Sequence, residues 1–218
     1  MPVQNTEPLS RVERRKRDMR DRLYAAAIEL FQSKGYHATT MDEIAELADT
    51  ARGTVFNHFR TKSDFIKEWA SRRRKIGTEA MLATRTQPGT SVAERIRAYF
   101  HAMGRINAQT YELTLAMGIG WVSSGGPIDD DPWMADEILV LLRELRAEEV
   151  FRDGVDLSDL AHLLRDAYLG LMFRWLRGKD DSFDFPEALD RVIDLILVGA
   201  LPSVAPNHDG DAPPSNAS

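Results

Sequence analysis

The sequence predicts an all-α fold in which a small three-helix head is joined to a larger helical body. Apolar residues recur at helical spacing, helix-start signals precede several of these stretches, and no segment alternates apolar and polar residues as a strand does. The 218 residues suffice for a small unit and a larger one. We place the head at 16–62 and the body at 63–202, with tails at 1–15 and 203–218 that we expect to be disordered.

The head contains three predicted helices in close succession. The first presents one apolar face and ends at Gly35, a residue typical of helix C-termini; the face carries Leu23, Ala26, Ala27, Leu30 and Phe31. Thr40 and Glu43 have the spacing of a capping box, which opens a short second helix. A turn at 49–51 then leads into the third helix, which is also short and runs from Arg52 to His58.

The body is predicted to consist of further helices. A capping-box-like start at 61–64 opens a long helix that ends near Arg85, before the Pro88-Gly89 break. Ser91 and Glu94 open another, to about Asn107, and an apolar segment at 111–122 follows. After a loop at 123–132, we expect helices at 132–151, 157–177 and 186–200.

Several classes of protein are disfavoured by what the sequence lacks. It has no cysteine for a disulfide or a thiolate metal site, and its five histidines show no metal-ligand spacing, so we predict no metal and no cofactor. It shows no phosphate-binding glycine loop and no nucleophile elbow, so we predict no enzymatic activity. Neither a signal peptide nor a membrane-spanning run is visible, and we expect a soluble, cytoplasmic protein with no membrane partner.

Charge is distributed unevenly along the chain. The net charge is -6, but residues 11–75 hold 16 Lys and Arg against 10 Asp and Glu, whereas the rest holds 12 against 24. This asymmetry suggests that the first third contacts phosphate groups. The alternative is a chance run of solvated charge.

Two short helices joined by a brief turn form a helix-turn-helix pattern, which is weak evidence by itself. In its surroundings, however, residues 24–69 resemble the N-terminal domain of TetR-type (TetR/AcrR) bacterial transcriptional regulators. The matching residues are Ala27, Leu30, Phe31, Gly35, Tyr36, Thr39, Thr40, Ile44, Ala45, Gly53, Thr54, Phe56, His58, Phe59, Lys62 and Phe65. The resemblance implies a DNA-binding head and a body that dimerises and binds a small effector.

In a helix-turn-helix, the second helix enters the major groove and its first residues face the base edges. We therefore predict base contacts from Arg52, Thr54, Val55 and Asn57, a close approach of the backbone at Gly53, and phosphate contacts from Thr40, His58 and Lys62. Alternatives stay open: His58 as an ordinary surface histidine and Arg52 as a phosphate contact. The basic run at 11–22 is either a solvated tail or an arm in the minor groove. Phe31 and Phe59 are expected to hold the helices together.

Three residues depart from the family pattern. Asp49 replaces the usual turn glycine, Ala51 replaces a frequent serine before the recognition helix, and Phe56 replaces a frequent tyrosine that donates to phosphate. These departures leave DNA binding expected but put the individual contacts in question. The cap of the recognition helix passes to Thr50 or is lost.

The body carries two apolar stripes, which we expect to pair across a two-fold axis in a homodimer: Tyr168, Leu171, Met172, Trp175, Leu189, Val192, Ile193 and Ile196. The alternative is that both are core helices of a monomer. An effector cavity is predicted from Met103, Ile106, Tyr111, Leu115, Trp121, Trp133, Leu141 and Asp166, although apolar residues at this spacing are also typical of plain core. The resulting hypothesis is a repressor that a small, lipophilic effector releases from operator DNA; an enzyme and an architectural DNA-binding protein are the alternatives.

Overall fold

The computed structural model describes residues 10–84, 89–129, 133–146, 151–178 and 183–200. Within these ranges the secondary structure is helical and includes no strand, which confirms the all-α fold. The helices are α1 (Arg11–Lys34), α2 (Met41–Leu47), α3 (Arg52–His58), α4 (Lys62–Thr84), α5 (Val92–Gln109), α6 (Tyr111–Ser123), α7 (Gly126–Asp129), α8 (Trp133–Arg146), α9 (Leu157–Arg177) and α10 (Phe185–Ala200).

The first helix begins earlier than predicted. Ser10 caps it, because its hydroxyl accepts from the Glu13 amide while the Glu13 carboxylate accepts from the Ser10 amide. The expectation that 10–15 belong to a disordered tail is therefore wrong. Residues 1–9 and the predicted tail at 203–218 lie outside the described residues.

The head is held together by one aromatic core. Phe31 and Phe59 are buried, as predicted, and Phe59 stacks on Phe65 of α4 with ring centroids 3.9 Å apart. This core also includes residues of α6, such as Met117, so that the head rests on a helix of the body. The head is consequently not an isolated unit, although its three helices are those that the sequence predicts.

A second core fills the body. There α4 packs along α5, α5 along α10, α8 along α9 and α9 along α10, around buried residues such as Phe100, Leu164 and Leu189. The observed helices begin and end close to the predicted positions, but the predicted loop at 123–132 contains the short helix α7. Of the predicted helix at 132–151, the structure describes 133–146 as helical, and residues 147–150 lie outside the described part.

Among the described residues, no helix is both long enough and apolar enough to cross a membrane.

Candidate nucleic-acid interface and ligand cavity

The turn between α2 and α3 uses a left-handed backbone conformation at Asp49, with φ of 47°. Glycine adopts this region most readily, and aspartate is one of the side chains that tolerate it. The substitution at this position therefore keeps the turn that the family pattern expects. The guanidinium of Arg22 on α1 donates to the carbonyls of Ala48 and Asp49 and ties the turn to the first helix.

The start of α3 lacks a side-chain cap. Ala51 occupies the N-cap position with extended backbone angles and has no side chain that accepts from the first amides of α3. Of the two outcomes considered for this helix, the loss of the cap is therefore the one observed. The uncapped amides lie at the end of α3 that bears Arg52, where an anion such as a DNA phosphate is electrostatically favoured.

One face of α3 is exposed over the buried core. Arg52, Gly53 and Asn57 are exposed, Thr54 is half-buried, and the Phe56 ring is 38% exposed. A Cβ at Gly53 would meet no atom within 4 Å, so the glycine leaves open space on this surface. The four polar or small residues predicted to face DNA on α3 thus share a surface, while their roles in DNA binding stay predictions.

The guanidinium of Arg52 is oriented by Asp42 on α2. Arg52 Nε lies 3.1 Å from Asp42 Oδ1, and Arg52 Nη1 donates to Asp42 Oδ2 at 3.2 Å. Both side chains are more than half exposed, so the pair contributes at most about 1 kcal/mol. Asp42 therefore orients the Arg52 guanidinium. The pair is weak enough that a DNA base or phosphate can replace Asp42 as the partner of Arg52.

The prediction that Val55 contacts a base is wrong. Its side chain is 0% exposed and packs in the core of the head with Ile44 and Phe59. Val55 lies between exposed positions in sequence, but at about 100° per residue it points away from Gly53 and Asn57, which stand two positions before and after it and are exposed. Val55 therefore fixes the position of α3 from beneath.

The predicted phosphate contact of Lys62 also needs correction. Its ammonium donates to the carbonyls of Tyr36 and Thr39 at 2.8 and 2.9 Å and to that of His37 at 3.3 Å. It also lies 4.6 Å from the centre of the Tyr36 ring. An ammonium has three protons, and all three are engaged in the segment between α1 and α2. Lys62 is thus a clamp on that segment.

Thr40 and His58 flank the exposed face of α3. The Thr40 hydroxyl caps α2 in a capping box with Glu43 and is exposed, so its predicted phosphate contact would add to a structural role. His58 is half-buried, and its carbonyl accepts from Arg20 Nη1 at 2.9 Å. Partial burial lowers the pKa of the His58 imidazole, and the charges of Arg20 and Lys16 lower it further.

The basic run at 11–22 is helical. Its exposed cationic residues extend the positive face of the head along α1: Arg11, Arg14, Arg15, Lys16, Arg17 and Arg22. The first alternative for this run, a solvated tail, is therefore wrong for residues 11–22, which belong to α1.

The body contains a cavity of about 120 Å³ between α4, α5, α6, α8 and α9. Three of the predicted effector residues line it: Met103, Trp121 and Trp133. Most of the wall is apolar, with Met117 and Met172 among its residues, but four cationic side chains also reach it: Lys67, Arg73, Arg74 and Arg165.

Five predicted effector residues lie outside this wall. Leu115 lines a separate, more open groove between the end of α1 and α6. Tyr111 packs edge-on against Trp175, Ile106 and Leu141 are half-buried, and Asp166 is exposed and paired with Arg165. Their assignment to the cavity is therefore corrected, because residues on one helix point into different layers of the body.

Sequence reasoning missed the contribution of α4 to the cavity. Ile66, Trp69, Arg73 and Arg74 line it and recur at spacings of three, four and one along the helix. Arg73 and Arg74 therefore continue the apolar stripe of α4, which was the available signal that they are buried. Their burial was not predicted from the sequence, because arginine is rarely a core residue.

The predicted dimer residues are mostly internal. Leu171, Leu189 and Ile193 are at most 6% exposed in the core of the body, while Tyr168 and Met172 line the cavity. Trp175 stacks on Phe185 at 5.0 Å, and Val192 and Ile196 are half-buried against the same core. The exposed apolar side chains on α9 and α10 are instead Leu163, Leu195 and Val198, between 53% and 74% exposed. The apolar side chains that α9 and α10 leave exposed are therefore different from the residues predicted for the interface.

Comparisons with known proteins agree with this architecture. Residues 23–69 match the family of bacterial regulatory proteins of the tetR type. The HTH-type transcriptional repressor KstR of Rhodococcus jostii is 24% identical over 83% of this chain and 84% of its own length. The HTH-type transcriptional regulator QacR of Staphylococcus aureus is 37% identical over 51 residues, 23% of this chain and 27% of QacR.

A solved structure shares the fold over nearly the whole chain. Thermus thermophilus FadR, a TetR-family transcriptional repressor in complex with lauroyl-CoA, superposes with a TM-score of 0.67 and 26% identity. The match covers 90% of this chain and 100% of FadR. Residues 23–69 therefore carry the domain of the tetR family of bacterial regulatory proteins, and the chain over most of its length is similar in sequence to HTH-type repressors and in fold to a TetR-family repressor.

Proposed function

We propose that this chain is a sequence-specific transcriptional repressor that binds operator DNA as a homodimer and that a small, lipophilic effector releases. The observation that carries the proposal is the exposed face of α3, where Arg52, Gly53 and Asn57 stand above a buried aromatic core. A short helix supported in this way is suited to the major groove. The proposal assigns the chain no catalytic reaction, and a regulator that binds the bacterial chromosome acts in the cytoplasm.

The test of DNA reading uses a duplex selected by the protein from a random library. We expect the double variant Arg52→Ala, Asn57→Ala to lose at least tenfold in affinity for the selected duplex at fixed salt, because each bidentate base contact contributes about 1–3 kcal/mol. Arg143→Ala, at an exposed arginine of α8, is the control and keeps the affinity. Selection of no consensus, or full affinity in the double variant, would refute reading by α3.

The proposed dimer forms through the apolar face of α9 and α10. Leu163, Leu195 and Val198 leave apolar surface exposed on these two helices, and burial against a second copy would remove that surface from water. Two short recognition helices also read more base pairs than one.

Sedimentation velocity of paired variants tests this interface. Val198→Glu is expected to shift the protein toward monomer at micromolar concentration, because it buries an unpaired charge between the subunits. Val140→Glu is the control, since Val140 on α8 is 54% exposed but lies outside the proposed face. Equal dissociation in both variants, or a wild-type monomer, would exclude the interface.

The effector site is proposed to be the body cavity. Its wall joins α4, which carries the head, to helices of the body, so that a ligand there contacts both parts. FadR of Thermus thermophilus has been solved with lauroyl-CoA, which supports a lipophilic effector for a chain of the same fold. A filled cavity is expected to weaken operator binding by favouring a different position of α4.

A further inference from the structure

Among the residues that the structure describes, no carboxylate partners the buried cation Arg73. Its side chain belongs to a residue that is 6% exposed, and its Nη1 and Nη2 donate to Asn107 Oδ1 at 2.9 Å and Thr110 Oγ1 at 2.6 Å. Both acceptors are neutral. Arg73 Nε is buried and has no hydrogen-bond partner, and within the described part of the chain no carboxylate forms an ion pair with Arg73.

A buried guanidinium that lacks a counter-charge is energetically costly. Burial lowers the pKa of Arg73, and the ring of Trp69, 4.4 Å from the guanidinium carbon, offers partial compensation through a cation–π contact. The orientation of the Asn107 amide is fixed, because its Nδ2 donates to Tyr168 Oη at 2.5 Å while its Oδ1 accepts from Arg73. The described residues therefore supply dipoles around Arg73 but no negative charge.

A second donor in the same cavity is also unsatisfied. Trp69 Nε1 is buried and has no hydrogen-bond partner among the described residues, and Trp69 and Arg73 both line the cavity. Buried N–H groups are nearly always paired in native structures, so two unpaired donors in the wall of one cavity point to an absent acceptor.

The charges around the cavity have one sign. Lys67, Arg74 and Arg165 also line it, and none of the described lining residues is an aspartate or glutamate. Arg74 pairs with Glu137 and Arg165 with Asp166, so their charges are compensated from outside the wall. Arg73 alone combines deep burial, a place in the wall and the lack of an acidic partner among the described residues.

We propose that the cavity binds a small apolar carboxylate, whose anionic group is held by Arg73 and Trp69. The apolar part of the ligand lies against Met103, Met117 and Met172 on the same wall. The free volume of about 120 Å³ is suited to a compact acid or a short acyl chain. This proposal rests on the proposed function, in which the same cavity is the effector site, and names the chemical class of that effector.

The direct test compares acids with neutral analogues on the full-length protein without DNA. The probes are hexanoate with hexanol and benzoate with benzyl alcohol at neutral pH, and binding is measured by calorimetry and by quenching of tryptophan fluorescence. At least one acid is expected to bind tenfold or more tightly than its alcohol. The proposal is overturned if neither acid binds, or if each alcohol binds as tightly as its acid.

A pair of variants identifies the group responsible. Arg73→Gln is expected to abolish the preference for the acid while the alcohol still binds. Arg72→Gln, at the neighbouring arginine that bonds Glu68 and Asp21 and does not line the cavity, retains the preference. Arg73→Lys is expected to keep part of the preference for the acid, because lysine retains the positive charge but lacks the planar guanidinium that binds a carboxylate through two hydrogen bonds. An unchanged preference in a folded Arg73→Gln variant would refute the role of Arg73, and if that variant does not fold, the wild-type comparison of acid and alcohol still decides.

Failure of this proposal and failure of the proposed function are separable. If acids bind but the selected duplex is not released, the ligand class is right and the regulatory role of the cavity is wrong. If the duplex is bound and read through α3 but no acid binds, the DNA-binding proposal is supported and the proposed class of effector is wrong.

Discussion

The ring of Tyr36 lies directly against the backbone of Gly120. A Cβ at Gly120 would be 2.7 Å from the Cγ and Cδ2 atoms of Tyr36, and the Tyr36 hydroxyl lies 3.2 Å from Ser124 Oγ. Tyr36 belongs to the segment between α1 and α2, whereas Gly120 is on α6 of the body. The two residues thus form a close contact between head and body that has no room for a larger side chain.

We therefore expect Gly120→Ala to destabilise the protein by about 1–3 kcal/mol, because the Tyr36 ring and Ile66 must move. Urea unfolding measures the loss. Gly118→Ala, on the same helix, is the matched control and is expected to cost less, since its Cβ would approach only the flexible tip of Leu176 at 3.2 Å. Equal losses in the two variants would show that the contact with Tyr36 is not tightly packed.

Lys62→Met is predicted to destabilise the head by about 1–3 kcal/mol. The variant leaves the carbonyls of Tyr36 and Thr39, which are partly buried, without their donor. Thermal and denaturant unfolding measure this effect. Lys75→Met on the same helix serves as comparison, because Lys75 forms only an exposed pair with Glu79 at 3.9 Å and its loss should stay within about 0.5 kcal/mol. A stable Lys62→Met variant that binds DNA weakly would instead support the original phosphate assignment.

Ala51→Ser is predicted to stabilise the protein by about 1 kcal/mol. The serine hydroxyl would accept from an amide in the first turn of α3, which has no side-chain cap at present. Denaturant unfolding of the wild type and the variant measures the gain. Ala51→Val, which introduces no acceptor, is expected to give none; a similar gain from valine would attribute the effect to packing.

Operator affinity is predicted to rise as the pH falls below neutral. The pKa of His58 is lowered in the free protein by burial and by Arg20 and Lys16, so the imidazole is neutral at pH 7. A DNA phosphate nearby favours the protonated form and raises this pKa, so binding takes up a proton. For one proton, the affinity gains at most about tenfold per pH unit. Binding is measured between pH 8 and pH 5.5, roughly the range in which histidine titrates.

The variant His58→Gln isolates this effect, because glutamine keeps a polar side chain but does not titrate in that range. Its operator affinity should depend less on pH than that of the wild type. The same pH dependence in both proteins would place His58 away from the phosphates.

Much of the head follows from local sequence. The capping boxes at Thr40 and Ser91 lie where their spacing predicts, because a cap depends on residues three positions apart in the chain. The turn between α2 and α3 accepts Asp49 for an equally local reason, because it requires only that this one residue adopt a left-handed backbone conformation. The missed cap at Ser10 is of the same kind, since Glu13 stands at the same spacing and was available to predict it.

The sequence by itself determined the all-α class, the helix-turn-helix and the order of the helices, because periodicity, caps and turns act over a few residues. The tertiary structure alone decided which apolar face is internal: Val55, Leu189 and Ile193 are buried in the chain, and Leu195 and Val198 are exposed. It also brought Arg73 beside Trp69, Asn107 and Thr110 in the wall of a cavity. The physical reason is that these contacts join residues far apart in the chain, and helical periodicity shows which residues share a face but not what that face meets.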